Sequence, residues 1–240
     1  MNQIDKRTTC EISVYDREKT GWPFLDIECK FFKLIFDSYQ DLKDVEHLDA
    51  TQRGAIKTFL TAVDLVTAEW EGFDINTFKY GFSIKLKYNF PYGVGLGSSA
   101  SFNVALGGGV YTTILKIAKK SYRNMTDLSF DNPEDLWKFK LIADEGEKVI
   151  HSSVSGINTT TVALGGVIRF SMLLLIIIYL ENTFETCNEV LESSKGVNLP
   201  ADFKFDIVNT GITRSTHDQL DDMIVIKNVY PGEYILAFIN

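Results

Sequence analysis

Residues Pro91 to Ser101 read P-Y-G-V-G-L-G-S-S-A-S, with glycine at the alternate positions Gly93, Gly95 and Gly97. Glycine lets a backbone take positive φ and approach a ligand with no Cβ in the way. A glycine-rich turn feeding a helix start points several N–H groups at one spot, and the helix dipole adds partial positive charge there. That chemistry suits phosphate. The hydroxyls of Ser98 and Ser99 can donate to phosphate oxygens or reach a bound Mg²⁺. Spacing alone fits a flexible loop before a helix equally well. The segment is not a Walker A loop, because no Gly-Lys-Ser/Thr follows. A dinucleotide fingerprint counted from Gly95 ends acceptably at Ala100, but no Asp or Glu occurs between Ala100 and Asp127 to hold a ribose.

The loop needs elements on both sides to place it. Phe82 to Tyr88 alternates strictly, which predicts a strand delivering the chain to Pro91. Ser99 to about Ala118 predicts a helix, despite Gly107, Gly108 and Gly109, which cost roughly 1 kcal/mol each against alanine. Those glycines imply close packing against another backbone, or a kink. Thr9 to Val14 predicts a strand, and Trp22 to Ile27 is expected to pair with it across a Thr20-Gly21 turn. Apolar residues at helical spacing predict a helix within Leu48 to Trp70. Asn132 to Asp135 predicts a helix start with Pro133 in its first turn, running to about Ile150. Val154 to Asn158 is read as a turn. Leu164 to Phe170 and Phe203 to Val208 are read as strands, and a helix is expected from Ser215.

The chain has 240 residues, 45% of them hydrophobic and 23% charged, enough for one large or two small domains. A formal net charge of −8 argues against non-specific nucleic-acid binding. The cysteines Cys10, Cys29 and Cys187 are widely spaced and form no CxxC, so neither a disulfide framework nor a zinc site is expected, and a reducing, cytoplasmic setting fits. The N-terminus lacks the apolar core of a secretory signal. Met172 to Leu180 is an unbroken apolar run, but a spanning helix needs about 20 residues. A buried strand is expected there, and no membrane association.

Three segments in order then carry a resemblance. They are the loop Pro91 to Ala100; E-K-V-I-H-S-S-V-S-G-I-N from Glu147 to Asn158, followed by Gly165-Gly166; and N-T-G-I-T-R-S-T from Asn209 to Thr216. Together they resemble the GHMP small-molecule kinases, and within them the mevalonate kinase family, over about Asp74 to Leu220. The resemblance implies an α+β fold: a GHMP-kinase-like N-terminal domain over 1–200, with a mixed sheet and helices on one face, then the start of a C-terminal α/β-sandwich domain over 201–240. It implies transfer of the γ-phosphoryl of ATP, with Mg²⁺, to the primary hydroxyl of a mevalonate-like small molecule, in isoprenoid precursor synthesis. Pro91, Gly93, Gly95, Leu96, Gly97, Ser98, Ser99 and Ala100 would hold the nucleotide. Ser99 and Glu147 would hold the metal. His151, Ser155, Gly156, Arg214 and Thr216 would line the acceptor pocket. For His151 a simple helix C-cap is an equal alternative.

The departures bear on activity. Where the family carries an acid that serves as base toward the acceptor hydroxyl, this chain has Asn158, and an amide does not take up a proton as a carboxylate does. The family's N-terminal Pro-Gly-Lys strand and its second glycine-rich segment have no counterpart in these residues. The expectation is a truncated or degenerate member, poorly stable or a homodimer, with an unpaired sheet edge. Phosphomevalonate, homoserine and galactose kinases are alternatives, as is a catalytically silent nucleotide-binding protein.

Overall fold

The structure, a computed structural model, describes residues 7–69, 73–93, 95–121, 133–151 and 154–165. The expected strand at Phe203 to Val208, the helix from Ser215, the apolar run at 172–180 and the unit at 201–240 lie outside the described residues. In chain order the elements are β1 (Thr8–Asp16), a one-turn helix α1 (Arg17–Thr20), β2 (Leu25–Glu28), β3 (Lys33–Phe36), α2 (Ala50–Glu69), β4 (Tyr80–Tyr88), α3 (Ser98–Ser121), α4 (Pro133–His151) and α5 (Ile157–Leu164).

The sheet is mixed, in the order β1-β4-β2-β3. β4 runs antiparallel to β1 and parallel to β2, and β3 closes the far side antiparallel to β2. This corrects one sequence reading. Trp22 to Ile27 does not form a hairpin with β1. Gly21, at φ 65°, instead ends α1 with its N–H bonded to the Arg17 carbonyl, and the chain crosses over to pair beside β4. The turn chemistry at Thr20-Gly21 is genuine, but it is that of a helix C-cap rather than of a two-residue hairpin.

Alternation explains which face is covered. Phe82, Ile84 and Leu86 are buried and lie opposite Val14, Ile12 and Cys10 in the register with β1. On the other face Lys85 and Lys87 lie opposite Glu11 and Thr9, and Lys87 reaches Glu11 at 2.9 Å. Burial pushes the Cys10 thiol up to about 12, so it packs as a small apolar group. Helices cover the apolar face. α2 brings Phe59 edge-on to Phe24 and Phe82, with ring centres 6.2 and 5.7 Å away. α2 begins at a capping box: Asp49 Oδ1 accepts from the Gln52 N–H, and Gln52 Oε1 accepts from the Asp49 N–H.

The glycines of α3 serve close approach. A Cβ at Gly107 would stand 2.6 Å from Ile142 on α4, and one at Gly109 would stand 3.1 Å from Ile12 on β1. α3 is thus wedged between the sheet and α4, which fixes where its N-terminus points. At the C-terminal end of α2, Tyr111 Oη from the middle of α3 donates to Glu69 at 2.7 Å, and Lys138 of α4 meets both groups. Tyr111→Phe removes that bond while keeping the buried ring. A loss of about 1 kcal/mol follows, or roughly 2–4 °C in Tm for a domain of this size, read by thermal denaturation.

Candidate functional site

The loop after β4 has the geometry that its glycines allow. Gly93, Gly95 and Gly97 take φ of 73°, 79° and 68°, in the left-handed region. Such values strain any residue with a Cβ. A Cβ at Gly95 or Gly97 would meet nothing within 4 Å, so the space over the loop is open. Ser98 begins α3, and its Oγ accepts from the Gly93 N–H at 3.2 Å, folding the loop back over the helix start. The first N–H groups of α3 have no intrahelical acceptor and face that open side with the positive end of the dipole. Pro91, Gly95 and Leu96 are exposed, whereas Ala100, in the first turn of α3, is fully buried.

Ser99, one residue into α3, meets α4. Its Oγ donates to Glu147 Oε2 at 3.1 Å and lies 3.3 Å from His151 Nε2. His151 Nε2 is 3.6 Å from Glu147 Oε2, one turn along α4. Glu147 is 2% exposed. Asn103, one turn on from Ser99, donates from Nδ2 to Glu147 Oε1 at 2.7 Å, and Thr58 of α2 donates to Asn103 Oδ1 at 2.9 Å. Three helices therefore converge on one carboxylate. They reach it because α2 and α4 touch through glycines: a Cβ at Gly146 would collide with Thr58 Oγ1 and stand 2.9 Å from the Gly54 carbonyl.

Burial pushes the Glu147 carboxyl above its ordinary range. Hydrogen bonds from Asn103 and Ser99 and the imidazole of His151 pull it back, and the charge of Asp144 adds to the rise. The carboxylate therefore has little positive charge around it to offset its burial. Among the described residues no three His, Cys, Asp or Glu side chains gather to cage a metal. A single carboxylate with a neighbouring hydroxyl fits Mg²⁺, which commonly takes one or two protein carboxylates together with substrate phosphates and water.

The turn read over Val154 to Asn158 ends earlier than expected. Gly156, at φ 71°, caps α5, and Ile157 is already its first residue. Asn158 is exposed in the first turn of α5, while Thr159 and Thr160 are buried. Ser155 is exposed, its Oγ 3.4 Å from the Ile157 N–H. Arg214 and Thr216 lie outside the described residues. Sequence reasoning singled out Ser99, Glu147 and His151, which the structure brings together, but it missed Asn103 and Thr58. The available signal was a polar side chain at Asn103, four residues after Ser99 on an otherwise apolar helix face.

The end of β4 also borders a cleft of about 330 Å³ between the ends of β2 and β4, with Lys30, Lys85, Lys87 and Tyr88 on its walls. Phe31, half exposed, sits 4.5 Å from Tyr92 between ring centres, and Tyr88 lies beside both.

Comparison with known proteins agrees with this geometry. The GHMP kinases N terminal domain family matches residues 57–166. Mevalonate kinase of Arabidopsis thaliana is 39% identical over 89 residues, 37% of this chain and 22% of that protein. Mevalonate kinase of Mus musculus is 35% identical over 80 residues, 33% of this chain and 20% of that protein. The matched stretch thus spans about a fifth of the length of these relatives. The crystal structure of L. major mevalonate kinase in complex with R-mevalonate superposes with a TM-score of 0.53 at 19% identity, covering 97% of this chain and 56% of that one, which shows a shared fold. Residues 57–166 thus match the GHMP kinases N terminal domain, and the curated relatives that the chain matches are mevalonate kinases.

Proposed function

We propose that this chain binds ATP with Mg²⁺ and transfers the γ-phosphoryl group to the primary hydroxyl of mevalonate or a close analogue. The observation that carries the reading is the contact between Ser99 Oγ and Glu147 Oε2. It joins an anion-seeking helix start to a buried, charge-hungry carboxylate. The loop amides of Gly95, Gly97, Ser98 and Ser99 would cradle the triphosphate, and the ring of Phe31 or Tyr92 offers a face on which a base can stack. Ser99 and Glu147 would hold the cation, which supplies neutralisation of charge on the phosphates when bound. Phosphoryl transfer rests mainly on positioning and charge neutralisation; these residues would supply the positioning and hold the cation that neutralises. Ser155, Gly156 and His151 would border the acceptor. The choice of mevalonate rests on the likeness to the mevalonate kinases named above.

Gly97→Ala tests the loop. The left-handed backbone costs a residue with a Cβ about 1–2 kcal/mol, so binding of a magnesium complex of a nonhydrolysable ATP analogue is expected to weaken roughly five- to thirtyfold, read by calorimetry.

A second reading, a nucleotide-binding protein without turnover, is favoured by one observation: Asn158 stands where the family carries its base. The deciding experiment incubates the chain with ATP, Mg²⁺ and mevalonate and follows ADP release alongside nucleotide binding. Turnover supports the kinase, and binding without turnover supports the silent module. An absence of both removes the assignment.

A further inference from the structure

Above Glu147 on the same face of α4 lies a second charged group that the kinase reading does not use. Lys140, Asp144, Glu147 and His151 follow one another at spacings of four, three and four residues, so they share one helix face. Lys140 and Asp144 are 5% and 9% exposed and are paired at 2.6 Å. The Lys140 ammonium also sits 4.6 Å over the centre of the Trp137 ring. A buried ion pair is a poor source of stability, since apolar side chains of the same volume often serve as well or better. What it adds is direction. The Thr159 hydroxyl of α5 donates to Asp144 Oδ1. A Cβ at Gly156 would lie 3.5 Å from Lys140 Nζ and 3.7 Å from Asp144 Oδ2. The left-handed turn at Gly156 thus rests directly on the ion pair, and α5 is bonded to it through one hydroxyl.

We propose that the Lys140–Asp144 pair, acting through Thr159, is a positioning device that fixes Ser155 to Asn158 relative to Ser99, Glu147 and His151. This rests on the kinase reading only for what the turn positions, an acceptor carrying a hydroxyl. Lys140 and Asp144 do not touch that acceptor. They hold the start of α5 in register with the helix face that carries Glu147, because a bond to a fixed charge has one geometry where apolar packing would tolerate sliding.

Thr159→Val tests the device without stranding a buried charge, since it keeps the shape and leaves Lys140 and Asp144 paired. Thr159→Ser restores the hydroxyl. Three quantities are measured on each full chain: amide hydrogen exchange across Ile157 to Thr161, and the affinities for R-mevalonate and for a magnesium–ATP analogue. In the valine variant, exchange is expected to accelerate about tenfold and R-mevalonate binding to weaken about tenfold, as for loss of one charge-assisted bond. Nucleotide affinity stays within about twofold, because the phosphate loop is held by other bonds. The serine variant recovers both losses. Unchanged exchange in the valine variant overturns the proposal, as does a parallel loss of nucleotide and acceptor affinity or a failure of serine to recover them. If the unmutated chain binds no R-mevalonate, the acceptor assignment falls, and the exchange measurement alone decides whether the device exists.

Discussion

Asn158→Asp is expected to raise the rate of phosphoryl transfer by roughly 10²–10⁴-fold, the usual worth of a positioned general base. Asn158 is exposed in the first turn of α5, between the cap at Gly156 and the buried Thr159. A carboxylate there meets no packed neighbour that must move. The positive end of the α5 dipole favours its ionised form, and the helix gains about 0.3–1 kcal/mol from an acid in its first turn. The variant should therefore melt no lower than the parent, and nucleotide affinity should be unaltered. Asn158→Ala serves as the control and should show no gain. A flat rate in the aspartate variant, with acceptor and nucleotide both bound, means that the base is not what this chain lacks.

That expectation rests on a residue whose chemistry was legible in the sequence while its setting was not. The loop and its serines can be read from a local pattern, alternate glycines after a strand, whereas Glu147 and His151 are singled out only through the resemblance carried by Glu147 to Asn158. β4 and α2 were legible for the same reason, since strict alternation and helical spacing are local. β3 (Lys33–Phe36) went unread, because four residues hold too little alternation to register. The partner of β2 was misread because the nearest turn signal, Thr20-Gly21, caps a single helical turn. β2 pairs instead with β3, the next strand in the chain, and with β4, more than 50 residues away, a pairing that no nearby residue signals. α5 is not legible: Val154 to Asn158 is rich in turn formers, Thr159 to Thr161 are weak helix formers, and Leu164, read as the start of a strand, is instead the last residue of the helix. What holds the helix is tertiary: the bond from the Thr159 hydroxyl to Asp144 of α4. Asn103 and Thr58 were missed because nothing in one sequence shows that α2, α3 and α4 meet at Gly54 and Gly146.

The convergence on Glu147 leads to an effect of opposite sign on stability and on function. Glu147→Gln is expected to raise Tm at neutral pH in EDTA while removing Mg²⁺-dependent nucleotide binding and any turnover. Burial places the Glu147 carboxyl above its ordinary value in the folded chain. The folded state therefore holds that proton more tightly than the unfolded state does. Stability falls as pH rises from the ordinary carboxyl value of 4.5 through the raised one, and the full penalty persists above both. Glutamine has nothing to ionise, keeps an oxygen for the Asn103 amide, and can donate its own amide to Ser99. The two melting curves should separate above this window and converge below it. A bound cation reverses the balance, because it supplies the charge that the carboxylate lacks. The variant should lose Mg²⁺ affinity by more than the roughly 10–100-fold typical of losing an outer-shell partner. The cheap measurement is Tm against pH, with and without Mg²⁺ and a nonhydrolysable ATP analogue, for both chains. A glutamine variant that melts lower at pH 7 in EDTA would show that the buried charge is already compensated. One that keeps the parent's Mg²⁺ dependence would show that the cation is held elsewhere.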